Sequence, residues 1–398
     1  MRLLPTSLAD YEARAQKAIP HDIWGFVWGG AHDMLTTRRN RQAFEDITLR
    51  PRFLRDVVKR DLATTILSHK VSFPVMLAPA GGHTFVHPDG ELASARAAGA
   101  AGAIMGLSTS SDYSMEEVAA VAAKPLFFQL YHCGEELTTI LVRRAEDSGF
   151  KAIMLTVDCP LPSLMEINAR DEFPLHRGAI LANFKDPAVR KILPKGLHLP
   201  DMWERPRTIP FTFKQLEWLR SLTTLPIILK GVRTAEDARM GVECGVQGIL
   251  VSNHGGRQID STLSSIETLP EVVDAVGGKA EVYLDSGIRR GSDVFKALAL
   301  GAKGVFIGRP IFWGLAIDGE NGVRGVLETL RKELDLCMGY CGFNRVRDIT
   351  PDSVTLPPYM KRRFPSYINE LRAYALLVKQ GAMTKKDFAA KKKALLGL

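Results

Sequence analysis

Long charge runs, cysteine pairs and extended apolar stretches are all missing from the first 358 residues of this 398-residue chain, and each absence removes a class of function. No segment comes near the roughly 18 uninterrupted apolar residues of a membrane-spanning helix. The opening Met1-Arg2-Leu3-Leu4-Pro5 leads into no apolar core, so no signal peptide is expected. The five cysteines, Cys133, Cys159, Cys244, Cys337 and Cys341, are odd in number and scattered, with no CxxC pair. Neither a disulfide framework nor a zinc site is indicated, and a reducing cytoplasm is the expected compartment. The net charge of +8 is not in the body of the chain. Residues 359–398 carry ten Lys/Arg against two acids, which leaves residues 1–358 formally neutral and without a basic face for nucleic acid. No internal repeat is visible either.

What is present is a hydrophobic content of 46%, ample for a large core, and a rhythm. The first 50 residues read as helices: Ser7 caps Leu8 to Ala18, and His21 to Phe44 is a helical pair broken at Gly29-Gly30. From residue 74, short apolar runs alternate with helical patterns. The strands are expected at 74–79, 103–108, 126–131, 152–158, 226–230, 248–252, 281–285 and 304–308, and a closing helix at Gly322 to Met338. Eight such units without reversal imply a closed (β/α)8 TIM barrel rather than an open sheet. A proline-rich connection after the fourth strand, residues 160–211, is about fifty residues long, far beyond an ordinary βα loop, and is expected as a lid or a segment without structure of its own. The domain reading is therefore a barrel over 1–358, with 160–211 as its long active-site loop, and a basic helical tail over 359–398.

Polar residues stand at the carboxyl ends of these apolar strands, where a barrel keeps its chemistry. In order they are Pro79-Ala80-Gly81, Ser108, Gln129 with Tyr131, Thr156 with Asp158, Lys230, Ser252 to Arg257, Asp285-Ser286-Gly287 and Gly308-Arg309. Singly, Ser108 or Thr156 would be a local backbone hydrogen bonder, and His254 and Arg257 could decorate an ordinary loop. Eight in phase are not explained that way. Glycines after the seventh and eighth strands, with Arg289 and Arg309 beside them, fit a phosphate site. Lys230 would aim a cation into the mouth.

These residues resemble the FMN-dependent α-hydroxy-acid oxidases and dehydrogenases, the group of glycolate oxidase, lactate oxidase and mandelate dehydrogenase. The resemblance runs from about Tyr11 to about Arg347. It is carried by Ser252-Asn253-His254-Gly255-Gly256-Arg257-Gln258, Phe128-Gln129-Leu130-Tyr131, Thr156-Val157-Asp158, Leu229-Lys230-Gly231-Val232 and Asp285-Ser286-Gly287-Ile288-Arg289-Arg290-Gly291. It implies FMN as cofactor and oxidation of a 2-hydroxy acid to a 2-oxo acid. His254 would be the base, Asp158 its partner, Tyr131 a hydrogen-bond partner of the substrate hydroxyl and Arg257 the carboxylate anchor. Pro79, Ala80, Gly81, Ser108, Gln129, Thr156, Lys230 and Ser252 would surround the flavin ring, and Asp285, Gly287, Arg289, Gly308 and Arg309 the rest of FMN and its phosphate.

Three positions depart from the family pattern. Met165 stands where a second carboxylate-binding Arg is expected, Phe26 where a Tyr is expected, and Ala80 where a Thr is expected. The anion pocket thus loses two of three side-chain donors, each worth about 1.5–3 kcal/mol when charge-assisted. A larger or more apolar aryl or alkyl 2-hydroxy acid than glycolate is the expected substrate, bound at Phe26, Tyr131, Met165, His254 and Arg257. Oxidation of a related CH–OH or CH–NH2 compound, a non-redox phosphate-binding barrel enzyme and a catalytically reduced scaffold are the alternatives. A homo-oligomer, tetramer or larger, is carried over from the family. The tail resembles the short C-terminal helical hairpin found at the ends of many bacterial proteins, with Thr384 capping its second helix; its lysines could meet a partner or a membrane surface.

Overall fold

Four to six residues are enough to make most of the strands here, because each is apolar on both faces and needs no alternation. The computed structural model describes residues 5–171, 173, 180–193, 211–361, 374–375, 378 and 383–396. Its barrel strands are β1 (Val75–Leu77), β2 (Met105–Ser108), β3 (Leu126–Leu130), β4 (Ala152–Thr156), β5 (Ile227–Val232), β6 (Gly248–Val251), β7 (Glu281–Leu284) and β8 (Gly304–Ile307). They pair in parallel in sequence order, and β8 closes on β1. Met76, Phe127, Met154, Ile228, Leu250, Tyr283 and Phe306 form one buried cluster that fills the barrel. A second, larger cluster packs the strands against the surrounding helices.

Register turns the sequence pattern into a site. Ser108 pairs with Gln129, and Thr156 with Lys230, so residues far apart in the chain end up side by side on one rim. Three amino-terminal helices, α1 (Leu8–Ala18), α2 (His21–Trp28) and α3 (Leu35–Asp46), precede the barrel. Ser7 caps α1 through a reciprocal pair with Asp10.

The structure departs from the sequence expectations in three places. A helix precedes the expected closing helix, which runs on to Cys341. This preceding helix starts directly at Arg309 and is broken from the closing one at Asp318–Gly319, where Gly319 takes a positive φ of 49°. Gly308 is its N-cap and Pro310 lies in its first turn, where a missing N–H costs nothing. Arg309 is therefore a helix-start residue as well as a strand-end one. Second, the long loop is not without structure: it holds helices at Glu166–Arg170 and Pro187–Ile192, the latter capped by Asp186, and a 3-10 turn at Ala182–Phe184. Third, two short ribbons went unread, Thr64–Ile66 with His69–Val71, and Thr48–Leu49 with Val354–Thr355. In the tail, Thr384 accepts from the Asp387 N–H ahead of helix Lys385–Leu396. The expected first tail helix and Gly381 lie largely outside the described residues.

Candidate active site

A cavity of about 580 Å³ opens at the carboxyl ends of the strands. Of the expected site residues, Phe26, Pro79, Ala80, Gly81, Ser108, Tyr131, Met165, Lys230, His254, Arg257, Asp285, Gly287, Arg289, Gly308 and Arg309 line it. Gln129, Thr156, Ser252 and Asp158 do not. They support the lining from behind: Gln129 donates to Thr156 Oγ1 at 2.9 Å and accepts from Ser108 Oγ at 3.2 Å. Ser252 Oγ accepts from the His254 N–H at 3.0 Å.

The turn after β6 is held in an unusual shape. His254, Gly255 and Gly256 all have positive φ, at 56°, 70° and 77°. A non-glycine residue in that region is strained, and such strain gathers at functional sites. Gly256 admits the close approach of protein: a Cβ there would stand 2.4 Å from Thr37 Oγ1 and 2.7 Å from Thr37 N, in α3. Asn40, one turn further along α3, exchanges side-chain hydrogen bonds with Asn253 at 2.7 and 2.9 Å. Ser286 Oγ accepts from the Gly255 N–H at 3.0 Å. Sequence reasoning missed Asn40 because nothing local marks it.

Around His254 the polar groups converge. Its Nδ1 lies 3.1 Å from Asp158 Oδ1, 3.3 Å from Lys230 Nζ and 3.6 Å from Cys159 Sγ. Burial and the Lys230 charge lower the His254 pKa more than Asp158 raises it, which favours the neutral imidazole. Burial opposes the charge of Asp158, but Lys230 and His254 outweigh it and hold its carboxyl well below the usual range. Burial also opposes the charge on Lys230, but Asp158 and Asp285 raise its pKa above the ordinary value.

The arginines at the mouth are held by protein carbonyls and rings. Arg257 donates from Nη1 to the Phe26 carbonyl at 2.6 Å and the Gly29 carbonyl at 3.3 Å, and stacks 4.9 Å from the centre of the Phe26 ring. Arg309 donates to the carbonyls of Val27, Gly29 and Gly255 at 3.1, 2.7 and 3.0 Å. Both tie the carboxyl end of α2, where the helix dipole is negative, to the β6 turn. Arg289 lies 4.6 Å over the Trp313 ring. Burial lowers Arg257 and Arg289 to about 10, and burial with the repulsion of Arg257 and Arg289 holds Arg309 well below its ordinary value.

Three aromatic rings cover part of the mouth. Phe26 and Phe173 stack at 4.7 Å, and Phe85 meets both edge-on at 5.6 and 5.5 Å. Leu161, Leu164, Met165, Leu181 and Phe312 extend this apolar wall. Leu181 is placed by Asp112, which accepts from the Ile180 N–H at 2.9 Å, and by the buried Asn183, which donates to Ser111 Oγ at 2.9 Å and accepts from the Met115 N–H.

Among the described residues no carboxylate lies within ion-pair distance of Lys230, Arg257, Arg289 or Arg309. Asp158 and Asp285 offset the Lys230 charge, but three guanidiniums around one cavity are costly without an anion. A phosphorylated, electron-accepting group such as FMN fits this donor set: Arg289 with the glycine-bearing turns of β7 and β8 would hold its phosphate, and Lys230 would stand by its ring.

Comparison with known proteins agrees. The profile of the FMN-dependent dehydrogenases matches residues 15–356. Glycolate oxidase 3 of Arabidopsis thaliana is 47% identical over 349 residues, covering 87% of this chain and 94% of the relative. A peroxisomal (S)-2-hydroxy-acid oxidase of Oryza sativa subsp. japonica is 45% identical over 352 residues, covering 88% and 96%. The crystal structure of a mandelate oxidase, 40% identical, superposes with a TM-score of 0.81 over 88% of this chain and 98% of that one.

Proposed function

Because the chain belongs to the FMN-dependent dehydrogenase family and oxidises 2-hydroxy acids with FMN, we propose that its substrate carries a larger or more apolar side chain than glycolate, aryl or extended alkyl. The observation that carries this reading is the triad of Phe26, Phe85 and Phe173 beside Arg257. Three rings offer an apolar or aromatic substituent a large contact surface and no hydrogen-bond donor. The named relatives include glycolate oxidases, and a small acid is the competing outcome.

In this reading Arg257 orients the substrate carboxylate, its guanidinium fixed by the α2 carbonyls. Neutral His254 receives the substrate proton, and Asp158 at 3.1 Å stabilises the imidazolium that forms. Tyr131 faces the same cavity and binds the substrate hydroxyl. FMN supplies the electron sink that makes Cα–H cleavage feasible. Gln129, Ser108 and Thr156 form a buried hydrogen-bonded chain that fixes the rim under the ring.

The test is an anaerobic series of glycolate, lactate, mandelate and long-chain hydroxy acids, following flavin bleaching. Aryl or long alkyl acids are expected to reduce the flavin with the highest kcat/KM. Highest efficiency on glycolate overturns the proposal. Admission of air then tells oxygen from another acceptor. The enzyme is also proposed to work in a reducing cytoplasm, in keeping with five cysteines that form no disulfide among the described residues, and as a homo-oligomer.

A further inference from the structure

Cys159 is a strand-end residue that the hydroxy-acid reaction does not use. Its thiol lines the cavity, 3.4 Å from Asp158 Oδ1 and 3.6 Å from His254 Nδ1. With the 3.1 Å separation of His254 and Asp158, three different donor atoms form a closed triangle within 4.8 Å. A tetrahedral Zn²⁺ with ordinary Zn–S, Zn–N and Zn–O bonds has ligand-to-ligand edges of about 3.6 Å for N–S, about 3.3 Å for N–O and about 3.5 Å for S–O. The triangle's own edges, 3.6, 3.1 and 3.4 Å, lie close to these.

A second observation points the same way. Asp158 Oδ2 is buried and has no hydrogen-bond partner, and the side chain is only 9% exposed. The orphaned atom is the other oxygen of the carboxylate, not the one in the triangle; a cation bound through either oxygen offsets the buried charge the two share. Cys159 and His254 both reach the cavity, which leaves the fourth coordination position to water.

We propose that Asp158, Cys159 and His254 form an inhibitory site for a thiophilic divalent cation of the Zn²⁺ class. On binding, the Cys159 S–H proton leaves to solvent and an S–Zn bond forms; His254 Nδ1 and one Asp158 oxygen complete the protein ligands. The thiolate and carboxylate neutralise the ion, which offsets the nearby Lys230 ammonium at 3.3 Å from His254. The ion holds the imidazole that the reaction needs and breaks its hydrogen bond with Asp158. Inhibition rests on the proposed role of His254; binding of the ion does not.

Equilibrium dialysis of the FMN-loaded protein against ZnCl2, with metal counted by mass spectrometry, tests the site directly. One zinc per chain is expected, with activity lost in parallel and restored by EDTA. Cys159→Thr and Cys159→Ser are each expected to weaken zinc binding at least tenfold, each variant's inhibition being referred to its own zinc-free rate. Cys337→Ser, in the closing helix and outside the cavity, is the control and should bind zinc as the parent does. With Cd²⁺, the thiolate-to-metal ultraviolet band should appear in the parent and not in either Cys159 variant. Absence of stoichiometric zinc, or equal binding in the Cys159 variants, overturns the site. Stoichiometric zinc without inhibition would keep the site and remove His254 from the reaction.

Discussion

Arg257 shows how a residue's type can be read early and its surroundings only late. Its guanidinium was expected to face a substrate carboxylate, yet one Nη spends its hydrogen bonds on the Phe26 and Gly29 carbonyls. Those bonds fix the direction of the remaining donors. Arg257→Met therefore removes a charge-assisted contact and also loosens α2. We expect kcat/KM to fall by at least the roughly 10- to 150-fold equivalent of about 1.5–3 kcal/mol. Arg257→Lys should recover little, because an ammonium cannot hold two carbonyls and a carboxylate in one plane. Steady-state kinetics on both variants check this; near-parental efficiency in Arg257→Met means that the substrate is not a carboxylate anchored there.

At the scale of elements, the turns after β1 and β2 are joined by one buried acid. Glu91, in the helix Gly90–Ala101, accepts from the His83 and Asp112 backbone N–H groups at 3.5 and 3.2 Å. Burial, helped by the Asp112 charge, pushes Glu91 up to about 8. Burial pushes His83 down to about 3. Glu91 holds its proton in the native state between its ordinary 4.5 and about 8, so its contribution to stability falls as pH rises through that interval. His83 stays neutral in the native state between about 3 and its ordinary 6.5, so its contribution is lost as pH falls. The two slopes cancel between pH 4.5 and 6.5, and above that only Glu91 acts, at up to about 1.4 kcal/mol per pH unit. Glu91→Gln should flatten the decline in melting temperature between pH 6.5 and 8. An unchanged slope in thermal melts would show that another group titrates there.

The whole molecule carries a cavity ringed by cations, so its stability is tied to its cofactor. Removing FMN should lower Tm. At free FMN a hundredfold above Kd the linkage is about 2.7 kcal/mol, which corresponds to roughly 3 °C for a chain of this size. Calorimetry with and without added FMN measures it, and coincident transitions would mean that the cations are not balanced by the flavin. The basic tail is a separate matter. Truncation after Lys361 should leave the cofactor content and kcat of the barrel unchanged, and an insoluble or flavin-free product would place the tail within the fold.

Much of this was legible in the chain. Each strand is a local apolar run and each helix a local period, so β1 to β8 and the polar residues at their carboxyl ends followed from neighbours a few positions apart. The strand-to-turn change at Val251–Gly256, with its His and two glycines, is equally local. Residues brought together over long sequence separations were not legible. Thr37 against Gly256, Asn40 with Asn253, Arg309 across to Val27 and the stack of Phe26 on Phe173 all depend on how the amino-terminal helices and the long loop settle on the rim. The same is true of Cys159. In the sequence it is one of five scattered cysteines, with no CxxC spacing to suggest a metal site; 95 positions later the chain returns to set His254 beside it. The sequence alone determined the barrel and the cofactor class, because those are written in short-range pattern and residue type. Tertiary structure decided which donors are already spent, which carboxylate oxygen is orphaned and which rings close the mouth, because hydrogen-bond partners and burial are properties of distance in space.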